Sequence, residues 1–175
     1  MDARSSKILA IICAKKDSER YPYKNRELIF PVLSKLLKFS SVNSIVVATD
    51  DPVIRQLTKK GKVRYLVRKN NACFPEDSVF NIARWAYYCL DERYDIVIVI
   101  LPNVINFKTD TVGKGIRVLV ENNLNEVRTY DNKGVENGVI IMKENWFLGG
   151  DLSVYCGAII SEAKEIHYES ELESL

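Results

Sequence analysis

The sequence predicts an α/β protein built around a mostly parallel sheet, and three observations support this. Short, uninterrupted runs of branched apolar residues recur at 8–12, 44–48 and 95–101, as is typical of strands buried on both faces of a parallel sheet. Segments with apolar residues at helical spacing separate such runs through the first two-thirds of the chain, which favours strand–helix–strand units. Because 175 residues suffice for one domain with its own core, we expect a single domain over 1–175.

Capping and breaking residues predict where individual elements begin. A helix is expected over 27–37, with its start near Pro31, because proline fits the first turn of a helix. Asp51 predicts the N-cap of the next helix, and Thr109 that of a later one. Further strands are predicted over 63–67, 126–130, 137–143 and 152–155, with 158–160 continuing the sheet.

Composition excludes several classes of protein. The formal net charge is only +2, from 25 basic and 23 acidic residues, which does not indicate a nucleic-acid binder. The four cysteines are scattered without a CxxC pair, so no disulfide or metal framework follows. Residues 1–6 are polar, and the apolar run after them is too short to span a membrane. We therefore expect a cytoplasmic protein with reduced cysteines.

A basic loop follows the first predicted strand. Its cations are Lys15, Lys16, Arg20 and Lys24. Ligands of open α/β sheets bind where strands end, and clustered cations at such a place suit phosphate groups. The alternative interpretation is an ordinary solvated basic turn.

This segment resembles the N-terminal signature of the sugar cytidylyltransferases, the family that makes CMP-sialic acid and CMP-Kdo. The family pattern is roughly A-R-x-G-S-K-R-x-P-x-K-N after a first strand. The chain keeps six of its residues in step: Ala14, Ser18, Arg20, Pro22, Lys24 and Asn25. It departs where Lys15 replaces an arginine, Asp17 a glycine and Glu19 the usual lysine. The resemblance implies a three-layer, Rossmann-like nucleotidyltransferase fold.

The resemblance also implies a set of nucleotide-binding residues. Lys24 and Arg20 would be the catalytic cations that neutralise the triphosphate. The residues expected to bind nucleotide are Ala14, Lys15, Ser18, Asn25, Arg68, Asp77 and Ser78. Helix capping alone would equally explain Asp77 and Ser78. Asp50 follows the second strand in a T-D-D sequence similar to the family's, and a strand end with a helix cap explains it as well as catalysis does.

Two later segments would complete the family's site. The family's L-Q-P-T-S-P-L-R segment corresponds to 101–108, where Asn103, Asn106 and Lys108 are candidate contacts to a sugar, with an ordinary polar loop as the alternative. Near the end, His167 and Glu169 stand where the family has two aspartates that hold magnesium. A carboxylate suits Mg²⁺, whereas imidazole suits softer metals. A polar terminal turn is the other interpretation.

Together these residues imply a reaction in which CMP is transferred from CTP to a hydroxyl of a sugar acid, with release of pyrophosphate and with Mg²⁺ as cofactor. Two alternatives are a nucleotide-binding relative that has lost catalysis and another nucleotide-sugar enzyme on the same fold. In the family, the segment before an N-G-A-I-Y strand contributes a dimerisation arm. The matching segment, 131–136, is short here, which leaves open a homodimer without that arm.

Overall fold

The computed structural model describes residues 6–16, 21–57, 63–67, 78–149 and 154–173. The strands are β1 (Ile8–Ala14), β2 (Ser44–Thr49), β3 (Val63–Val67), β4 (Ile96–Ile100), β5 (Val104–Ile105), β6 (Glu126–Tyr130), β7 (Glu136–Lys143), β8 (Cys156–Ile160) and β9 (Lys164–Glu165). The helices are α1 (Lys24–Lys38), α2 (Pro52–Leu57), α3 (Val79–Tyr88), α4 (Thr109–Glu121), α5 (Glu144–Gly149) and α6 (Ser170–Glu173).

The described strands form a seven-stranded sheet in the order β3-β2-β1-β4-β7-β6-β8, and β5 pairs with β9 beside it. β1 lies parallel to both β2 and β4, with Ile11 opposite Val46 on one side and Val99 on the other. Within this sheet β7 is the reversed strand, because it pairs antiparallel with β4 and with β6. The mostly parallel sheet predicted from the apolar runs is confirmed.

Helices cover the sheet on both faces and give three layers. Along β1, Ile8, Ala10, Ile12 and Ala14 join the core under α1 and α4, while Leu9, Ile11 and Cys13 join the core under α3 and α5. This explains why β1 is apolar without alternation: each of its side chains meets a helix layer on one face or the other. The predicted α/β fold class is therefore confirmed.

Three predicted element boundaries were wrong. α1 begins at Lys24 rather than near Pro31, which lies exposed within the helix; the buried side chains of α1 begin as early as Asn25. Thr109 is the first residue of α4, and Lys108 is its N-cap. β8 begins at Cys156, and the apolar Val154 and Tyr155 that suggested a strand are 90% and 63% exposed. Residues 150–153 lie outside the described ranges.

The chain changes direction across the sheet at β1. It runs from β1 through α1 to β2 on one side, and later through α3 to β4 on the other. The carboxyl ends of β1 and β4 therefore flank a topological switch point, the place where open α/β sheets bind ligands. Because β7 is reversed, its amino end reaches the same edge, where the Leu101 amide donates to the Gly138 carbonyl at 3.0 Å.

Candidate functional site

The loop after β1 is fastened at the switch point from two sides. Ala14 ends the strand fully buried and in register with Thr49. The Lys15 carbonyl accepts a hydrogen bond from Asn25 Nδ2 at 2.7 Å, and the Lys16 amide donates to Asp50 Oδ1 at 2.7 Å. Lys15 and Lys16 are therefore held at the crevice. The predicted Ser18 and Arg20 lie outside the described residues.

Asn25 has one polar atom without a partner. The side chain is only 6% exposed, and its Nδ2 is used by Lys15. Its Oδ1 is buried with no hydrogen-bond partner, and an unsatisfied buried acceptor costs about 1–3 kcal/mol. A bound hydroxyl or amino group would satisfy this oxygen, whereas a phosphate oxygen would not, because both atoms accept.

Lys24, the first residue of α1, faces the C-terminal segment. Its Nζ donates to the carbonyl oxygen of Ile166 at 3.4 Å. Ile166 is fully buried in a small cluster with Tyr21 and Leu28. This cluster brings a predicted catalytic lysine and the predicted metal-binding segment to one corner of the molecule.

Tyr21, in the same cluster, has a raised pKa. The pKa is raised to about 12, mainly by the hydrogen bond from the phenol to Glu27, and further by burial and by the negative charges of Glu27 and Glu169. Glu169 is exposed. Its carboxylate is therefore open to solvent, on the segment whose Ile166 packs against Tyr21 and Leu28.

Asp50 and Asp51 organise the loops after β1 and β2. Asp50 accepts from the Lys16 amide, as described above. Asp51 caps α2, because its Oδ1 accepts from the Val53 amide at 2.8 Å, while its Oδ2 accepts from Arg26 Nε at 2.5 Å. These contacts support the helix-cap interpretation of the T-D-D sequence.

The Arg26–Asp51 pair predicts a pH dependence of stability. Burial alone would raise the pKa of Asp51, but the hydrogen bonds from Arg26 and Val53 outweigh it and lower the pKa below its usual 3.8. Stability from this pair is thus present above that value and lost as the pH falls through the folded-state pKa.

We expect Asp51→Asn to lower the free energy of unfolding by about 1–3 kcal/mol at pH 7 and by clearly less at pH 3. Asp51→Ala, which also removes the cap oxygen, should cost about 1 kcal/mol more. Urea unfolding of the three proteins at both pH values checks this. An Asp51→Asn penalty as large at pH 3 as at pH 7 would contradict it.

The predicted substrate residues of the 101–108 segment make contacts within the protein. Asn103 is 3% exposed, and its Nδ2 donates to the Ile166 carbonyl at 2.6 Å. Asn106 is an exposed turn residue with φ 52°. Lys108 forms an exposed ion pair with Glu162. These contacts are what the polar-loop interpretation expects, and Asn103 acts mainly to position the C-terminal segment.

The predicted metal-binding residues lie on that segment. His167 Nε2 is 3.7 Å from Glu165 Oε1. The amides of His167 and Tyr168 donate to Glu171 Oε2 at 2.6 and 2.8 Å, which shapes a turn before α6. Over the described parts of the chain, no cluster of three or more His, Cys, Asp or Glu residues could hold a metal ion.

The predicted residues around α3 are only partly described. Ser78 is exposed at the N-cap of α3, where its hydroxyl accepts from the Asn81 amide at 3.3 Å. Capping thus accounts for Ser78. Arg68 and Asp77 lie outside the described residues.

A cavity of about 730 Å³ lies at the same edge of the sheet. It is bounded by the turn between β6 and β7, the amino end of β7 and the segment after β8. Asn137, Lys133 and Lys164 are among its lining residues. The sequence predicted only a strand over 137–143 here, and no pattern marked the two lysines, which come from separate segments of the chain.

Comparisons with known proteins place the fold. No protein-family model matches the sequence, and no curated protein matches it significantly. A CMP:2-keto-3-deoxy-manno-octonic acid synthetase complexed with CTP shares 13% identity over 97% of this chain and 96% of its own, with a TM-score of 0.75. The 4-diphosphocytidyl-2C-methyl-D-erythritol synthase of Anaerococcus prevotii shares 13% identity over 97% and 94%, with a TM-score of 0.69.

A third solved structure is also similar. The glucosyl-3-phosphoglycerate synthase of Mycobacterium tuberculosis, in complex with Mn²⁺, UDP and glucosyl-3-phosphoglycerate, shares 12% identity over 98% of this chain and 76% of its own, with a TM-score of 0.64. The chain therefore has a cytidylyltransferase-like fold. Among the described residues, no helix is long and apolar enough to cross a membrane.

Proposed function

We propose that the chain is a cytidylyltransferase that transfers CMP from CTP to a hydroxyl of a sugar acid. The observation that carries the proposal is the basic loop fastened at the switch point, with the buried Oδ1 of Asn25 left without a partner beside it. The likeness to a synthetase complexed with CTP supports the choice of nucleotide.

In this reaction the acceptor hydroxyl oxygen bonds to the α-phosphorus of CTP. The bond from that phosphorus to the oxygen bridging to the β-phosphate breaks, pyrophosphate leaves, and the hydroxyl proton passes to solvent. Negative charge develops on the phosphate oxygens. Catalysis therefore depends mainly on positioning the two substrates and on cations that stabilise this charge. Lys15, Lys24 and Arg20 would bind the phosphates, and Asn25 Oδ1 would accept from a ribose hydroxyl or the cytosine amino group.

Glu169 would hold the divalent cation of this reaction. Mg²⁺ in nucleotide enzymes is held by one or two carboxylates together with phosphates and water. Glu169 would supply an exposed carboxylate on the segment that Lys24 contacts at the Ile166 carbonyl. His167 is the weaker candidate, because its imidazole suits softer metals and already faces Glu165. When bound, the ion would neutralise phosphate charge.

Calorimetric titration of the full chain with CTP, ATP and GTP, each with and without Mg²⁺, tests the proposal. We expect selective binding of CTP that strengthens with Mg²⁺, and pyrophosphate release once a sugar acid acceptor is supplied. CTP binding that ignores Mg²⁺ and yields no pyrophosphate would indicate a relative without catalysis. Preference for UTP or another nucleotide, in a wider panel, would indicate a different nucleotide-sugar enzyme.

A further inference from the structure

The outer edge of the sheet at β8 consists of uncharged residues. Among the described strands, β8 is the last in the order of the sheet, and it pairs with β6 on its inner side. Edge strands of soluble proteins usually carry charged residues that discourage pairing with another chain. β3, at the opposite edge, carries Arg64, which forms an ion pair with Glu92. β8 has the sequence CGAII and lacks this protection.

The backbone of β8 presents hydrogen-bonding groups along this edge. In a parallel pair of strands, the amide and carbonyl of one residue point to the same side, and successive residues alternate. The Ser161 amide donates to the Tyr130 carbonyl at 2.8 Å, so the odd-numbered residues of β8 turn their backbone towards β6. The amides and carbonyls of Ala158 and Ile160 therefore point outward, away from the sheet.

The side chains at these two positions are exposed on one face of the sheet. Gly157 and Ile159 face α4, since a Cβ at Gly157 would lie 3.4 Å from Val118 Cγ1 and Ile159 is buried. Ala158 and Ile160 face the other side, where α3 and α5 lie over β1, β2, β4 and β7. Ile160 is 64% exposed, and Ala158 is exposed as well. Apolar side chains thus accompany the outward backbone groups.

The side of α4 next to β8 carries two charges of opposite sign. Residues three or four positions apart lie on one side of a helix, so Lys114 and Glu121 share a side with Val118, which contacts β8 at Gly157. Both charged residues are exposed. Within the described ranges neither forms an ion pair, and they lie about one turn on either side of Val118.

We propose that two copies of the chain associate through this edge, with β8 antiparallel to the partner's β8 about a twofold axis at Ala158. In this arrangement Ile160 would face the partner's Cys156, so that uncharged side chains meet. Lys114 would lie next to the partner's Glu121, and Glu121 next to the partner's Lys114. An interface with twofold symmetry must be self-complementary. Both the strand and the helix meet this requirement, which favours a second copy over an unrelated partner.

Light scattering after size-exclusion chromatography of the full chain, at about 1–100 µM, tests the proposal. We expect a particle of twice the 20.0 kDa of one chain. Ala158→Glu should weaken association about tenfold or more, because it places two carboxylates opposite each other across the axis. The new carboxylate lies beside Arg128 of its own chain, so the variant should fold. Ala158→Lys should weaken association in the same way.

An equimolar mixture of the two variants gives the sharpest test. Each variant alone should be monomeric, but the mixture should form dimers, because the new carboxylate of one chain then faces the new ammonium group of the other. Only a residue that lies opposite its own copy on a twofold axis predicts this result. Dimers in the mixture would also show that both variant chains are folded.

Val53→Glu is the matched control. It places the same charge on an exposed apolar residue of α2, which packs on β2 towards the opposite edge of the sheet, and the dimer should stay within about twofold of the parent's affinity. A parent chain that is monomeric throughout, a dimer that survives Ala158→Glu, or a mixture that stays monomeric would overturn the proposal. None of these results depends on CTP binding.

Discussion

Replacing Lys24 with alanine is expected to weaken CTP binding about tenfold to a hundredfold, the range for losing a hydrogen bond to a charged group. Lys24 begins α1 at the switch point, and its Nζ reaches the Ile166 carbonyl at 3.4 Å. Bound triphosphate would offer that ammonium a charged acceptor in place of a neutral carbonyl, which is a much stronger interaction. Calorimetric titration at constant ionic strength measures the change, since salt screens such contacts.

Lys38→Ala provides the matched control for this experiment. It removes the same charge and the same side chain from the same helix, but from an exposed position at the far end of α1, about 21 Å away. Its CTP affinity should stay within about twofold of the parent, because exposed charges beyond a Debye length interact weakly. If Lys24→Ala and Lys38→Ala bind CTP equally well, the loop after β1 is not the nucleotide site.

The central strands of the sheet could be predicted because strands buried on both faces consist almost entirely of apolar residues. β1 and β4 are buried on both faces, and continuous branched apolar runs have few other uses in an α/β chain. β5 and β9 escaped prediction because each has only two residues. Their pairing depends on the Ile166 amide meeting the Asn103 carbonyl at 3.0 Å, a contact between distant parts of the sequence.

The candidate site was predictable in its nucleotide half and less so in its acceptor half. Lys24 and Asn25 begin α1, the next element after β1, so their place near the strand end follows from the strand–helix order. Asn103 looked like a ligand because it is polar and follows a strand, yet its amide bonds the Ile166 carbonyl. Backbone acceptors carry no sequence signal. Only the folded chain could therefore reveal which asparagine is occupied and which, like Asn137, keeps an oxygen without a partner.

The C-terminal segment links the two halves of the site. Asn103 and Lys24 both donate to the Ile166 carbonyl, and Asn137 donates to two carbonyls a few residues earlier in the same segment. One stretch of backbone thus lies between the loop after β1 and the cavity lined by Asn137, and it is held from both sides. The position of this segment therefore depends on donors from both sides of it.

Gly138, at the amino end of β7, is the position where a single methyl group should cost most. Its φ is +82°, and a Cβ there would lie 2.7 Å from Val104 Cγ2 and 3.2 Å from Leu101 Cδ1. A non-glycine residue in the left-handed backbone conformation destabilises the fold by about 1–2 kcal/mol, and overpacking adds about 1–3 kcal/mol. We therefore expect Gly138→Ala to lower the free energy of unfolding by about 2–5 kcal/mol, measured by urea unfolding with tryptophan fluorescence.

Two other glycines separate the contributions to this loss. Gly134 has φ +81° with nothing within 4 Å of its Cβ position. Gly134→Ala should therefore lower the free energy of unfolding through backbone strain alone. Gly157 has no positive φ, but its Cβ would lie 2.7 Å from Leu124 Cδ1. Gly157→Ala should therefore lower the free energy of unfolding through overpacking alone. If the two effects are independent, the Gly138→Ala loss should approach the sum of the other two. A loss no larger than that of Gly134→Ala would contradict this. It would mean that the side chains of Val104 and Leu101 can move aside for the new methyl group without a packing cost.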